Sequence, residues 1–255
     1  MALKNIFDTH AHYDDESFES DFNTVIDYIL DNGVSNVLNV GCDIESSNKS
    51  VSYSKTYPQF FAGVGIHPEN CEDIPNNWLN QISDLTTDKK VVAIGEIGLD
   101  YHYPDVKKDV QIAIFEQQLI LAKEKNLPVI VHCRDALNDT MDLLKKHKPK
   151  GVMHCFSGSQ ETAKEILALG MYIGFTGIVT FKNARKPIES LQVIPLHRIL
   201  LETDCPYMAP VPFRGKRTTS DMITKTAEKI AEIKGISTQE LIDITNKNAR
   251  TLFKI

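Results

Sequence analysis

Short runs rich in β-branched residues alternate with longer segments of helical spacing along this chain of 255 residues. The longer segments predict helices: 110–125 repeats apolar residues at helical spacing and ends at Asn126, before Pro128. The last predicted helix begins with Ser237 and Glu240 in capping-box spacing. Eight runs predict strands, at 5–8, 36–40, 60–65, 91–95, 128–131, 151–153, 172–174 and 198–201. Eight strands that alternate with helices indicate a parallel sheet of the α/β class.

A closed barrel and an open doubly wound sheet both fit this alternation. The barrel is favoured by polar residues at the carboxyl ends of the predicted strands, namely His10, His12, His67, Glu96, His132, His154 and Asp204. In a barrel these ends meet at one mouth, whereas the first and eighth strands of an open sheet lie far apart. We therefore predict a single (β/α)8 TIM-like barrel domain over residues 1–255, a usual length for this fold.

Composition limits the classes of protein to which the chain can belong. Its 42% hydrophobic and 24% charged residues are ordinary for a globular protein, and its apolar runs are too short to predict a membrane span. No signal peptide is visible at the start, and five cysteines without a CxxC pair indicate a reducing, cytoplasmic compartment. A net charge of −6 argues against a broad basic surface for nucleic acid, so local cations would have to attract a polyanionic substrate.

The pair His10 and His12 is the first candidate metal site. In an extended segment residues i and i+2 point to the same side, so both imidazoles face one direction. Two neutral imidazoles on one face are half of a transition-metal site. The alternative is a pair of surface histidines in a loop.

Glu96 directly follows the apolar run 91–95. Burying an unpaired carboxylate is costly, whereas a metal ion or a cationic side chain compensates its charge. We expect Glu96 to bridge two metal ions through its two oxygens. The alternative is a salt bridge to Arg or Lys at the barrel rim.

His132 and His154 end two consecutive short apolar strands at equivalent positions. A lone histidine at such a place is more often a core residue than a ligand, but two in equivalent positions favour ligation. Cys133 and Cys155 are the rival ligands. Because side chains alternate along a strand, each cysteine is expected to point away from the face of its histidine and to belong to the core.

Asp204 follows the eighth predicted strand, which lies next to the first strand when a barrel closes. We expect it to meet His10 and His12, to bind metal and to accept a proton from water. Asp204 and Glu96 are thus the predicted catalytic residues. Glu202 is expected either to help bind an additional ion or orient a ligand, or to form an ion pair. Four histidines and two carboxylates exceed the needs of one tetrahedral ion, so two or three divalent ions are expected, with Mg, Mn, Zn and Ni as candidates.

Basic residues after the predicted strands indicate a phosphate-binding rim. Arg134 and Arg214 are the predicted substrate-binding cations, because a guanidinium grips a phosphodiester well. His67 is expected to bind substrate or donate a proton, with a hydrogen bond inside its own loop as the alternative. Three more basic residues near the rim, Lys182, Lys216 and Arg217, are interpreted as solvated.

Six motifs occur in order between Asp8 and Lys216: DTHAH, GIHP, GEIGLDY, VIVHCRDA, HCFSG and ETDCPYMAPVPFRGK. They resemble the signatures of the TatD-like metal-dependent deoxyribonucleases of the amidohydrolase-like superfamily. The resemblance implies a (β/α)8 barrel, 3′-to-5′ exonuclease activity on single-stranded DNA, and the metal ligands His10, His12, Glu96, His132, His154 and Asp204. After RGK the family continues with an Asn-Glu-Pro-like stretch, whereas this chain continues with Arg217, Thr218, Thr219 and Ser220. That departure affects contacts with substrate rather than the metal site.

Three functions follow from these observations. The leading prediction is metal-dependent hydrolysis of phosphodiester bonds in single-stranded DNA. The alternative is a dinuclear amidohydrolase that acts on a small ester, amide or phosphotriester. Many such enzymes bridge their metals with a modified lysine, and the carboxylate of Glu96 in that place favours the nuclease. The third is a metal-bound protein that binds a partner, which the arginines at the rim disfavour.

Overall fold

The computed structural model describes residues 3–102 and 107–255. The strands are β1 (Ile6–Ala11), β2 (Val34–Val40), β3 (Phe60–Val64), β4 (Val91–Asp100), β5 (Val129–Arg134), β6 (Gly151–Met153), β7 (Tyr172–Phe175) and β8 (Ile199–Leu201). The helices are α1 (Phe22–Asp31), α2 (Ile44–Thr56), α3 (Trp78–Leu85), α4 (Lys108–Lys125), α5 (Leu137–His147), α6 (Gln160–Ala168), α7 (Arg185–Leu191), α8 (Ile223–Lys234) and α9 (Thr238–Phe253).

The eight strands lie in one sheet in chain order and alternate with the helices. The fold is the predicted (β/α)8 barrel. By its internal contacts the chain divides into two compact units. The first unit is Met1–Asn39 with Cys155–Thr251, and the second unit is Val40–His154 with Leu252–Ile255. The expectation of one domain over residues 1–255 stays a prediction.

In the first unit, parallel pairing joins β7 to β8 and β1 to β2. A parallel bridge between Ala11 and Cys205 connects β1 with the segment that follows β8. The helices bury one face each, as Val25, Ile26 and Ile29 of α1 illustrate. The predicted start of the last helix is confirmed, since Ser237 Oγ accepts the Glu240 amide hydrogen at 3.2 Å.

In the second unit, β3, β4, β5 and β6 pair in parallel, each with the next. Two buried glutamines of α4 bind backbone beside the strand ends. Gln118 accepts from the Ile66 amide at 2.8 Å and donates to its carbonyl at 2.9 Å. Gln111 makes the same two bonds to Asp100, at 2.8 and 2.7 Å. Each buried glutamine amide thus has both a donor and an acceptor as partners. These contacts fix the backbone at Ile66, after β3, and at Asp100, the end of β4.

Three strands continue at least three residues past the predicted boundaries. The predicted run 5–8 ends at Asp8, but β1 continues to Ala11, so His10 lies inside a strand. The predicted runs 91–95 and 128–131 end where the apolar residues end, but β4 continues to Asp100 and β5 to Arg134. Pairing continues because Gly98 lies opposite His132 and Asp100 opposite Arg134. Glu96 and His132 therefore lie inside strands rather than after them.

In the described part of the chain, no helix combines the length and the hydrophobicity needed to cross a bilayer.

Candidate metal centre

The first unit brings together His10, His12 and Asp204. The Nε2 atoms of the two histidines are 3.0 Å apart. Asp204 Oδ1 lies 3.4 Å from His12 Nε2 and 3.8 Å from His10 Nε2. His10 is fully buried, His12 is buried, and the Asp204 side chain is partly exposed, at 14%. Two imidazole nitrogens and one carboxylate oxygen that meet at one point are a donor set suited to a divalent metal ion.

Backbone contacts explain why Asp204 reaches both histidines. The Asp204 amide donates to the His10 carbonyl at 2.9 Å, and the His12 amide donates to the Cys205 carbonyl at 2.8 Å. The segment after β8 therefore continues alongside the end of β1. Asp204 has a φ of +64°, in the left-handed region that Asp tolerates better than most residues. This turn of the backbone directs its carboxylate towards the two imidazoles.

A fourth residue of the first unit, the acidic Asp8, anchors this arrangement from within β1. It is fully buried, and four donors satisfy it: the Thr203 hydroxyl (2.6 Å) and amide (3.0 Å), the Ser220 hydroxyl (2.6 Å) and the His10 amide (3.2 Å). Burial raises the pKa of Asp8 to about 6, although these hydrogen bonds lower it. The sequence prediction missed this residue. The sequence does indicate it, because Asp8 directly follows the apolar residues of the first predicted strand. A carboxylate buried at such a position must have buried hydrogen-bond partners.

The second unit places Glu96 among three histidines. Glu96 Oε1 lies 2.8 Å from His132 Nδ1, 3.7 Å from His67 Nε2 and 3.9 Å from His154 Nε2. The donor atoms of His67, Glu96 and His132 all lie within 4.8 Å of one another. Glu96 and His154 are buried, and His67 and His132 are partly buried. A carboxylate at the centre of imidazoles is again a donor set suited to a divalent ion.

Asp100, which the sequence prediction also missed, holds the far side of His132. Its Oδ2 lies 2.9 Å from His132 Nε2, and its Oδ1 accepts the His102 amide hydrogen at 2.8 Å. Burial alone would lower the pKa of His132, but hydrogen bonds to Asp100 and Glu96 raise that pKa to about 9. A carboxylate on the second ring nitrogen is the usual way in which proteins orient a ligating histidine. Asp100 therefore keeps Nδ1 of this ring directed at Glu96.

His67 makes the hydrogen bond within its own loop that the sequence left as the alternative, and its ring also reaches Glu96. Its Nδ1 accepts the Glu69 amide hydrogen at 3.2 Å, which caps a short 3-10 turn in its own loop. Its Nε2 faces Glu96. The loop contact fixes the ring so that the other nitrogen joins the cluster. Binding of substrate by His67 stays a prediction.

The predicted phosphate-binding arginines are both exposed. Arg134 is the last residue of β5 and lies opposite Asp100 in the sheet. The Arg214 guanidinium carbon lies 3.8 Å from the centre of the Phe181 ring, a cation–π contact, and its Nη1 donates to the Ala209 carbonyl at 3.5 Å. Among the residues interpreted as solvated, Lys182 and Lys216 are exposed.

Two predictions about nearby residues need correction. Arg217 is not a solvated cation, because it forms two hydrogen bonds to Asp21, at 2.6 and 2.9 Å, and packs against Phe18. Its partner lies 196 residues away, which a local pattern does not reveal. Cys133 and Cys155, expected in the core, are only partly buried.

Glu202, for which the sequence left two roles open, is fully buried. Its Oε1 accepts the Cys155 amide hydrogen at 2.5 Å. Its carboxylate lies so close to Gly174 that a β-carbon there would come within 2.3 Å of Oε2. Glu202 therefore has a hydrogen-bonding role in this unit.

The sequence matches the family described as TatD related DNase over residues 7–254. The chain belongs to this family. An uncharacterised metal-dependent hydrolase of Bacillus subtilis, YabD, is 42% identical over 98% of this chain and 99% of its own length. Another so described, YcfH of Escherichia coli K12, is 43% identical over 75% of this chain and 72% of its own length. The chain is thus a metal-dependent hydrolase of the TatD family.

Solved structures agree with this assignment. YjjV, a TatD homologue from Escherichia coli K12, has a TM-score of 0.93 and 30% identity, with all of both chains covered. A TatD-family hydrolase from Entamoeba histolytica has a TM-score of 0.88 and 25% identity over 99% of both chains. More distant structures share the fold alone. One is the phosphotriesterase homology protein of Escherichia coli, with a TM-score of 0.70 and 16% identity over 99% of this chain and all of its own.

Proposed function

We propose that this enzyme hydrolyses phosphodiester bonds of DNA and removes nucleotides from the 3′ end of single strands. The observation that carries the proposal is the Glu96 carboxylate, which lies among three imidazoles where many dinuclear amidohydrolases use a modified lysine. The description of the family as DNases supports the choice of substrate. Exposed Arg134 and Arg214 supply cations for an anionic substrate.

Both donor sets fit divalent metal ions, because each offers imidazole nitrogens and a carboxylate oxygen. We propose that the ligands are His10, His12, Glu96, His132, His154 and Asp204, that they hold two or three ions, and that Mg, Mn, Zn or Ni occupies them. Such ions activate water at neutral pH and stabilise negative charge on phosphoryl oxygens. Glu96, which lies among three imidazoles, would help to hold these ions.

The side chains of the protein carry the remaining steps. Asp204 would accept the proton of the attacking water, because its carboxylate is partly exposed while both histidines beside it are buried. Arg134 and Arg214 would hold the non-bridging oxygens of the phosphate by charge-assisted hydrogen bonds. His67 would contact the substrate next to Glu96.

A cytoplasmic location is part of the same proposal. All five cysteines are free thiols. Free thiols are expected in a reducing compartment.

The decisive experiment gives the purified enzyme single-stranded DNA labelled at its 5′ end. We expect a ladder of shortened labelled products with added Mn or Mg, and no products with a chelator or with the Glu96→Gln variant. Duplex DNA, single-stranded RNA and a panel of small esters, amides and phosphotriesters are assayed in parallel, and the metal content of every sample is measured. Rapid turnover of a small ester with intact single-stranded DNA would establish the amidohydrolase alternative instead.

A further inference from the structure

A small cavity of about 170 Å³ lies in the second unit where β5 and β6 begin. Its floor is apolar and includes Leu119 and Leu252. Its rim is basic, and we call this rim the basal lysine patch: Lys123, His147, Lys148, Lys150 and Lys254. None of the described residues that line the cavity is an aspartate or a glutamate, but His147 Nε2 lies 2.7 Å from Glu116 Oε1, just outside it. Lys254 Nζ donates to the Asn126 carbonyl at 3.3 Å.

The basal lysine patch is separate from the candidate metal centre. His132 is the fourth residue of β5 and points towards Glu96, whereas the cavity lies before the first residue of the same strand. With a rise of roughly 3.3 Å per residue, the start of the strand is about 10 Å from His132 along its axis. The two features therefore belong to opposite ends of the strands, and a ligand in the cavity does not touch the metal ligands.

Helix dipoles account for only part of this charge. Lys123 lies in the last turn of α4, where a cation offsets the partial negative charge of the helix end. Lys148 is the C-cap of α5 and Lys254 directly follows α9, so the same effect favours them, whereas Lys150 precedes β6 and does not lie at a helix end. The chain as a whole carries −6, so this concentration of lysines is local.

The backbone at two of these lysines is a second observation. Lys148 and Lys254 have φ values of +48° and +58°, in the left-handed region where helices usually end in Gly or Asn. A lysine is less stable than glycine at such a position, because its Cβ approaches the backbone. Residues kept in a strained conformation are more common at functional sites than elsewhere.

We propose that the basal lysine patch binds the phosphate backbone of a DNA strand outside the metal centre. The inference rests on the proposed DNA substrate and deepens it: the patch is a second, non-catalytic contact with that polyanion. Flexible ammonium groups suit the phosphates of a mobile strand, since each acts as a point charge without the fixed geometry of a guanidinium. The small cavity has room for a single phosphate group, and its surface-exposed lysines extend the contact to neighbouring phosphates.

The test measures binding of a fluorescent single-stranded oligonucleotide by anisotropy, in chelator, at several salt concentrations. The full-length wild type is compared with the triple variant Lys148→Asn, Lys150→Gln, Lys254→Asn, in which asparagine tolerates the left-handed backbone. A control triple variant, Lys49→Gln, Lys164→Gln, Lys229→Gln, removes the same charge from α2, α6 and α8. Equal melting temperatures and circular dichroism confirm that the variants are folded.

Three lost phosphate contacts reduce the slope of log K against log salt by roughly 2 for a single strand, at about 0.7 per contact. The affinity of the wild type is then expected to fall about 18-fold more than that of the patch variant between 50 and 200 mM salt. The control variant is expected to keep the wild-type slope. Equal slopes in the patch and control variants would overturn the proposal. So would a patch variant that changes the binding of inorganic phosphate and leaves oligonucleotide binding unchanged.

Cleavage assays keep this proposal separate from the proposed function. The patch variant is expected to hydrolyse a dinucleotide at the wild-type rate. So short a substrate does not extend from the metal centre at one end of the β-strands to the basal lysine patch at the other. The Glu96→Gln variant is expected to lose cleavage and to keep the patch-dependent salt slope. If no DNA is cleaved and the slope still depends on the patch, the nuclease proposal fails and the binding site stands. If DNA is cleaved and the slope is independent of the patch, the binding site fails and the nuclease proposal stands.

Discussion

Thr203 donates its hydroxyl to Asp8 Oδ2 at 2.6 Å and its amide to Asp8 Oδ1 at 3.0 Å. These bonds join the residue before Asp204 to the residue two positions before His10. Ser220 adds a third donor, and its own hydroxyl also contacts the Tyr13 hydroxyl at 2.8 Å. One buried carboxylate thus fixes the backbone on both sides of the donor set in the first unit. This dependence leads to the first prediction.

Asp8→Ala is expected to lower stability strongly, because the Thr203 and Ser220 hydroxyls lose their buried acceptor. At 1–3 kcal/mol for each of these two buried groups left without its acceptor, the loss is about 2–6 kcal/mol. At about 2–4 °C for each kcal/mol, the melting temperature of a protein of this size is expected to fall by roughly 4–24 °C. Asp8→Asn, which keeps one acceptor oxygen, is expected to lower the melting temperature less than Asp8→Ala does.

Calorimetry in chelator measures this effect without a contribution from metal. The matched control is Asp21→Ala, which breaks the partly exposed ion pair with Arg217 in the same unit. Such a pair contributes little to stability, because water screens the two charges. Equal decreases in melting temperature for Asp8→Ala and Asp21→Ala would show that Asp8 does not anchor the site.

The second prediction concerns Asp100, which holds His132 Nε2 at 2.9 Å. Asp100→Asn is expected to weaken metal binding 10- to 100-fold, the usual effect of losing the partner that orients a ligating histidine. The expected change in melting temperature without metal is small. The matched control is Asp135→Asn, which alters the exposed contact between Asp135 and His102 at 3.1 Å. Titration with metal by calorimetry checks the prediction, and equal affinities in the two variants would contradict it.

Much of the fold was predictable because strand and helix periods alternate along the whole chain. The lengths of β4 and β5 were not, because the pattern treats the first polar residue, Glu96 or His132, as the end of a strand. In the structure Glu96 and His132 contact each other, and the backbone pairing of β4 with β5 continues past both residues.

The candidate site, like the fold, was predictable only in part. Histidines and carboxylates at equivalent strand positions could be found from sequence, since their chemistry repeats from strand to strand. Asp8 and Asp100 were missed because their partners, Thr203 and His132, are distant in sequence. A buried hydrogen bond leaves no periodic signal. What the sequence does contain is a carboxylate with no local cation, which is a reason to look for distant donors.

The third prediction concerns the cation–π contact between Arg214 and Phe181. Arg214→Ala is expected to raise the KM for an oligonucleotide about ten- to a hundredfold, because one charge-assisted hydrogen bond to phosphate contributes on the order of 1.5–3 kcal/mol. Arg214→Lys is expected to recover only part of this loss, since an ammonium neither stacks on the ring nor bonds two oxygens at once. Arg134→Ala is expected to resemble Arg214→Ala.

The matched control is Lys216→Ala, an exposed cation two residues from Arg214. Steady-state kinetics with constant metal content distinguishes these variants. An unchanged KM in both arginine variants would show that the exposed guanidinium groups are solvated and do not bind substrate.

The final prediction separates the two proposed roles of Asp204, whose Oδ1 is 3.4 Å from His12 Nε2. Asp204→Asn keeps an oxygen at this position and removes the group that accepts a proton. We expect kcat to fall by 10²- to 10⁴-fold, the usual contribution of a general base, with oligonucleotide binding reduced far less. Asp204→Ala removes the oxygen as well, so it is expected to lose metal in addition. Asp15→Asn, a neighbouring carboxylate hydrogen-bonded by Tyr207, serves as the control and is expected to keep most activity. Single-turnover cleavage and metal content, measured on the same samples, decide the outcome. If Asp204→Asn loses metal to the same extent as Asp204→Ala, Asp204 acts mainly as a ligand and the proton must go to another group.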